Sequence, residues 1–121
     1  MRCRILVVDD SRTVRRIVRR ALADRSCEVL EAVNGADGLA LAARVRPDLI
    51  LLDGTMPVMG GSEMLARLQA DPRLRAVPLL LLTPAAGSGG LLPDGVTAAR
   101  LEKPFTAAAL SDAVGRLLRF A

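Results

Sequence analysis

The sequence predicts a doubly wound α/β fold, a parallel sheet with helices on both faces. Short apolar runs end in polar residues: CRILVV (Cys3 to Val8) meets Asp9 and Asp10, LILL (Leu49 to Leu52) meets Asp53, and LLLL (Leu79 to Leu82) meets Thr83. Unalternating runs of this length fit strands buried on both faces. Helical spacing separates them, and strand–helix alternation implies parallel strands with crossover helices. With 121 residues, 51% of them hydrophobic, the chain is enough for one domain, residues 1–121, and one core.

In chain order, the first strand is Cys3 to Val8. Ser11 can cap a helix whose inner face is Val14, Ile17, Val18, Ala21 and Leu22. Glu28 to Val33 is a weaker strand. The turn pair Asn34-Gly35 precedes a helix over Ala36 to Val45, which Pro47 stops. The third strand is Leu49 to Leu52. A helix over Ser62 to Ala70 carries Met64, Leu65 and Leu68 on one side, and Pro72 ends it. Leu79 to Leu82 is the fourth strand, and Thr97 to Leu101 is a plausible edge strand. Thr106 can cap a last helix with inner residues Leu110, Val114, Leu117 and Leu118. Between the fourth and fifth strands, residues 84–95 read PAAGSGGLLPDG. Gly costs about 1 kcal/mol against Ala inside a helix and Pro about 3. A loop is expected there, with at most one turn around Leu91 and Leu92. The fourth helix of the alternation is thus degenerate or disordered, and this segment is expected to be the most mobile.

Composition removes several functions. The chain has no His, Trp or Tyr, so histidine catalysis, His metal sites and aromatic base-stacking are excluded or weak. Cys3 and Cys27 are too few for a disulfide framework or a four-ligand zinc site, and read as free thiols in a reducing cytoplasm. No apolar run approaches a membrane span, and the strand-like stretch so close to Met1 argues against a secretory signal. The formal net charge is +4, and Lys103 is the one lysine among 17 cationic residues. Lysine offers a compact point charge where arginine offers a planar fork, so one site can require an ammonium group.

In doubly wound sheets, ligands bind at the carboxyl ends of the strands, where strand order reverses. Asp9, Asp10, Asp53 and Thr83 sit at such ends, and Lys103 follows the fifth strand. Neighbouring carboxylates repel unless a cation sits among them. A hard divalent ion suits oxygen ligands, and Mg²⁺ is usual with phosphates. A carboxylate beside Mg²⁺ can act as a nucleophile and form an acyl phosphate, with positive charge and donors serving the transferred group. Singly, each feature has a structural reading as a strand end, a turn or a solvated loop. Together, at strands one, three, four and five, that account needs four coincidences.

Four segments, ILVVDDS (Ile5 to Ser11), DLILLDGTMPVMGGSE (Asp48 to Glu63), LLLLT (Leu79 to Thr83) and LEKPF (Leu101 to Phe105), resemble the response-regulator receiver domain of two-component signalling. The resemblance covers essentially the whole chain. It implies a flavodoxin-like five-stranded parallel sheet of order 2-1-3-4-5, which periodicity alone does not give. It implies Asp53 as phosphoacceptor and Mg²⁺ ligand, Asp9 and Asp10 as the metal pair, the Thr55 backbone carbonyl as a further Mg²⁺ ligand, and Thr83 and Lys103 as groups that respond to the phosphoryl. Pro104 would hold the Lys103 loop, a cis peptide bond being one way to do so. The implied protein is a cytoplasmic phosphoprotein of a phosphorelay and not a conventional enzyme, since it catalyses only its own phosphorylation and dephosphorylation. Its phosphate would come from a histidine kinase or histidine phosphotransfer protein. With no output domain expected, it would signal by contact with a downstream protein target.

The departures concern output. Pro84 has no N–H where the family places a donor to the phosphoryl group, a loss of about 1.5–3 kcal/mol for a charged acceptor. Arg100 replaces the aromatic switch residue three before the Lys, and Gly60 stands where an acidic residue is common. Pro84, Arg100 and the lost fourth helix favour a rival, a receiver-fold interaction module acting without phosphorylation, and the intact Asp and Lys set opposes it. A haloacid dehalogenase-type phosphatase is disfavoured, because Asp53-Gly54-Thr55 mimics half of its motif and its nucleophile position is Leu51. A flavodoxin is disfavoured because no Ser/Thr-rich phosphate loop follows the first strand.

Arg12, Arg15, Arg16, Arg19 and Arg20 recur at i, i+3, i+4, i+7 and i+8 and form one basic helix face. It is either a solvated face or a docking surface for an acidic partner. In the receiver family this helix usually meets the kinase or phosphotransfer bundle. DNA binding is a weaker option, because no helix-turn-helix is present.

Overall fold

The computed structural model describes residues 3–53, 61–83 and 98–118. In chain order the elements are β1 (Cys3–Val8), α1 (Arg12–Ala21), β2 (Cys27–Ala32), α2 (Gly35–Val45), β3 (Leu49–Asp53), α3 (Gly61–Ala70), β4 (Leu79–Thr83), β5 (Ala98–Glu102) and α4 (Ala107–Leu118). All five strands are parallel, in the order β2-β1-β3-β4-β5. Strand order therefore reverses at β1, where the chain first runs outward to β2 and then crosses back to β3.

The central strands carry side chains into two cores. Ile5, Val7, Leu49, Leu51, Leu80 and Leu82 pack with Val18 and Leu22 of the first helical segment and with Leu110, Val114 and Leu117 of α4. Leu6, Val8, Ile50 and Leu52 face the other way, against Ala42 of α2 and Met64, Leu65 and Leu68 of α3. Because both faces are covered, β1 and β3 need continuous apolar runs instead of alternation. Ile5 to Val8 and Leu49 to Leu52 are all fully buried.

Three helices begin on side-chain caps. The Ser11 hydroxyl accepts from Val14 N at 3.3 Å, Asn34 Oδ1 from Asp37 N at 2.8 Å, and Thr106 Oγ1 from Ala109 N at 3.0 Å. Each satisfies a donor that the first helical turn leaves unpaired. At the other end of α2, Arg46 adopts a left-handed conformation with φ 49°, and Pro47 follows.

The central strands β3 and β4 each run one residue past the sequence reading, to Asp53 and Thr83, and both edge strands shift by one residue, for one shared reason. Among the described residues β2 is an edge strand paired only with β1, so it starts at Cys27 opposite Cys3 and ends at Ala32 opposite Val8. Val33 lies beyond β1 and is 48% exposed. Among the described residues β5 pairs only with β4, and it extends to Glu102 opposite Thr83. An edge strand ends where its one partner ends. The helices α2 and α3 each begin one residue earlier than expected, at Gly35 and Gly61. The expectations for residues 84–95 lie outside the described residues, as do Thr55 and Gly60.

Cys3 and Cys27 are free thiols. Burial, followed by the hydrogen bond between the two thiols, pushes Cys3 up to about 12. Arg25, which sequence patterning did not single out, ties the α1–β2 connection to the last helix. Its Nη2 donates to the Ser111 carbonyl at 2.9 Å, and it lies so close to Gly115 that a Cβ there would come within 2.8 Å. Gly38 plays a similar part on the opposite face. A Cβ on it would stand 2.8 Å from Val8 Cγ2 and 3.1 Å from Met64 Cε.

Val8 is β-branched, fully buried and pinned in the sheet, so it cannot yield to a larger neighbour. Gly38→Val should therefore lower unfolding stability by about 2–3 kcal/mol, the cost of overpacking a filled core. Urea denaturation measures it, and an unchanged midpoint would show that α2 can slide away from β1.

Candidate phosphoryl and metal site

The parallel register brings the polar strand ends together step by step. Val8 pairs with Leu52, so the next residues, Asp9 and Asp53, emerge side by side. Asp53 pairs with Leu82, which places Thr83 one step on, and Thr83 pairs with Glu102, which places Lys103 beyond it. The Lys103 N–H donates to the Thr83 carbonyl at 2.7 Å, and the Lys103-Pro104 peptide is cis. The cluster thus sits at the carboxyl edge of the sheet, beside the reversal of strand order, where such folds bind ligands.

Carboxylate oxygens of Asp9, Asp10 and Asp53 lie within 4.8 Å of one another. Asp9 is 0% exposed and Asp53 1%, while Asp10 is exposed. Lys103 Nζ donates to Asp9 Oδ2 at 3.0 Å and stands 3.4 Å from Asp53 Oδ1. The Asp9 Oδ1 accepts from Ser11 N at 2.8 Å. Thr83 is buried at the end of β4. Asp9, Asp10, Asp53, Thr83 and Lys103 therefore lie at one edge, and Thr55 and Pro84 fall outside the described residues. Arg100, three before Lys103, is exposed on β5.

Burial raises the pKa of Asp9, with Asp53 adding to it and the Ser11 N–H and Lys103 opposing it. For Lys103 burial is the largest influence and lowers its pKa, but Asp9 and Asp53 together outweigh it and hold the ammonium above its ordinary range. The donor set is three carboxylates and no nitrogen or sulfur, the chemistry of a hard divalent cation such as Mg²⁺. The acidic cluster fits that ion.

The first helix departs from its expected uniform basic face. Arg15 is turned inward, with its side chain 12% exposed. Its Nε donates to Glu31 Oε1 at 2.9 Å and its Nη1 to the Asp9 carbonyl at 2.7 Å. Arg19 Nε donates to the other Glu31 oxygen. The open stripe is Arg12, Arg16 and Arg20, all exposed and four residues apart. Glu31 was missed by sequence reasoning, and helix spacing carries no signal for a partner on β2.

The response regulator receiver domain family model matches residues 5–115. The response regulator PleD of Caulobacter vibrioides is 38% identical over 122 residues, covering 99% of this chain and 27% of PleD. Protein PilH of Pseudomonas aeruginosa is 39% identical over 80 residues, 66% of each protein. This chain therefore spans only part of the length of these relatives. Among solved structures, the chemotaxis response regulator CheY4 of Vibrio cholerae superposes with a TM-score of 0.83 at 31% identity, covering 97% of this chain and 99% of that one.

The Glu31 clamp gives the fold an acid-sensitive element. The hydrogen bond from Arg19 lowers the Glu31 pKa most, burial opposes it, and Arg15 lowers it further. A carboxyl group whose folded pKa is depressed stabilises above its unfolded value, near 4.5, and that contribution is lost as pH falls through the folded value. Glu31→Gln should therefore cost about 1 kcal/mol at neutral pH, a small figure because solvent screens the outer pair. The difference from the parent should vanish in strong acid. Urea melts across the acid range measure it, and a gap that stays constant with pH would disprove the clamp's titration.

Proposed function

The chain belongs to the response regulator receiver domain family, and from that premise we propose that Asp53 accepts a phosphoryl group in a Mg²⁺-dependent reaction. The donor is a histidine kinase or histidine phosphotransfer protein, and the signal passes on by protein–protein contact. The observation that carries this reading is Lys103 Nζ between two buried carboxylates, 3.0 Å from Asp9 and 3.4 Å from Asp53.

An Asp53 carboxylate oxygen attacks phosphorus, forming an O–P bond as the N–P bond of the phosphohistidine breaks. The electron pair leaves with the imidazole. Lys103, already beside Asp53, offers its ammonium to a phosphoryl oxygen, and Thr83 offers a hydroxyl. Asp9, Asp10 and Asp53 would hold the cation. When bound, Mg²⁺ offsets negative charge on the carboxylates and on the phosphoryl oxygens. The sheet edge does the positioning, since register fixes Asp9, Asp53 and Lys103 before any partner arrives.

A second reading is a receiver-fold interaction module acting without phosphorylation. The exposed Arg100, where the family's switch residue is aromatic, favours it. A guanidinium loses far more on leaving water than an aromatic ring does, so turning Arg100 inward costs more than turning a ring. The two readings part cleanly. With Mg²⁺ and acetyl phosphate the protein should gain one phosphate by mass spectrometry, and Asp53→Asn or a chelator should abolish it. Labelling that persists in Asp53→Asn would overturn the phosphoacceptor assignment. No labelling of the parent protein would leave the interaction module standing.

We also propose that the exposed Arg12, Arg16 and Arg20 stripe receives the phosphodonor protein. Charge steering acts on association and is screened by salt. Arg12→Glu with Arg16→Glu should slow transfer from a phosphorylated histidine phosphotransfer domain by about tenfold or more at low salt. Acetyl phosphate labelling should be unchanged. Stopped-time labelling with both donors tests this, and equal loss with both would reject the docking role.

A further inference from the structure

We propose that Arg15 is a positioning residue for the Asp9–Asp10 pair, held in its working orientation by Glu31. This rests on reading the acidic cluster as the Mg²⁺ site.

Asp9 is gripped along its backbone from two sides. Its N–H donates to the Ala32 carbonyl at 3.1 Å, and its carbonyl accepts from Arg15 Nη1 at 2.7 Å. That carbonyl belongs to the peptide unit that carries the Asp10 nitrogen. Fixing the plane of this unit sets the direction in which Asp10 leaves the strand. The Asp9 carboxylate has its own restraints in Ser11 N and Lys103 Nζ. Asp10 is exposed, so packing does not place it, and the backbone must.

Arg15 can do this because its fork is fixed in turn. Its Nε is occupied by Glu31 Oε1 at 2.9 Å while Nη1 reaches Asp9. Two donors of one planar group thus join β2, α1 and the end of β1. Glu31 lies opposite Val7, two residues before Asp9, so the anchor sits on the neighbouring strand close to the loop it steadies. Arg19 holds the remaining Glu31 oxygen and keeps the carboxylate from rotating away. A lysine at position 15 has one nitrogen centre at the end of a flexible stem and cannot reproduce the planar fork.

Positioning and plain charge predict opposite results. If Arg15 acted only as a nearby positive charge, removing it would tighten cation binding, and lysine would substitute for it. If it positions the pair, both Arg15→Met and Arg15→Lys should weaken Mg²⁺ binding by about tenfold, the low end of the loss seen when partners of metal ligands are removed. Titration calorimetry with MgCl₂ reads this directly. The Mg²⁺ concentration for half-maximal labelling by acetyl phosphate should rise by a similar factor.

Arg4→Met is the control. Arg4 pairs with Glu28 at the far end of the same two strands, and its loss should leave Mg²⁺ affinity within about twofold, as expected for a distant site. Thermal midpoints taken in chelator check folding, and Arg15→Lys keeps the test available if Arg15→Met does not fold. Unchanged affinity in Arg15→Lys, tighter binding in Arg15→Met, or an equal loss in Arg4→Met overturns the positioning role. A parent protein that binds no Mg²⁺ overturns the metal site itself, and the positioning role with it.

Discussion

One ammonium group between two buried carboxylates is the constraint on which the site depends. Asp9 and Asp53 are almost completely buried at adjacent strand ends. Two like charges in that position destabilise the fold unless a cation or a proton relieves them. Lys103 supplies the relief from the loop after β5, on the far side of β4. It can reach because its own N–H is bonded to the Thr83 carbonyl, which fixes the loop against the sheet. The sheet's edge and its charge balance are therefore one problem. Strand order sets which carboxylates meet, and the last strand delivers the counter-charge.

The same logic explains why the cluster stays beside the strand-order reversal. Between β1 and β3 the crossovers leave in opposite directions, and folds of this kind bind ligands at that point. The two cores below are closed by α1 and α4 on one face and by α2 and α3 on the other. Apolar burial accounts for the stability of this scaffold, and the acidic cluster spends part of it. A site of this kind suits a ligand that brings its own charge, because binding then adds to the balance in which Lys103 takes part.

Much of this was legible in the sequence. The runs ending at Asp9, Asp53 and Thr83 gave the central strands, because burial on both faces leaves an unbroken apolar signature. Ser11, Asn34 and Thr106 marked helix starts through the chemistry of their side chains. The edge strands β2 and β5 were each displaced by one residue, because an edge is bounded by its partner's end and not by its own composition. Arg15 was the larger error. Helix spacing gives an angle about the helix axis, and that angle placed Arg15 with the other arginines. It could not reveal Glu31 on β2 or the Asp9 carbonyl, which turn Arg15 inward. Arg25 was invisible for a similar reason, since its partner Ser111 is 86 residues away in sequence.

The division of labour among the cations follows from their shapes. Sixteen of the 17 are arginines, and several act as forks. Arg15 spans Glu31 and a backbone carbonyl, Arg25 reaches across to α4, and Arg73 grips Asp71 through Nε and Nη2. A fork is suited to fixing two things at once in a single orientation. The position between Asp9 and Asp53 asks for something else. A guanidinium there would lock onto one carboxylate in a bidentate pair and fill the space above both. An ammonium is compact, donates in any of three directions and can exchange one oxygen partner for another by a small rotation. On the phosphoacceptor reading proposed above, Lys103 would balance two carboxylates in one state and meet a third anion in the next, and a group with that task has to be of this kind. The single lysine of the chain stands at the one described place where a movable point charge serves better than a fork.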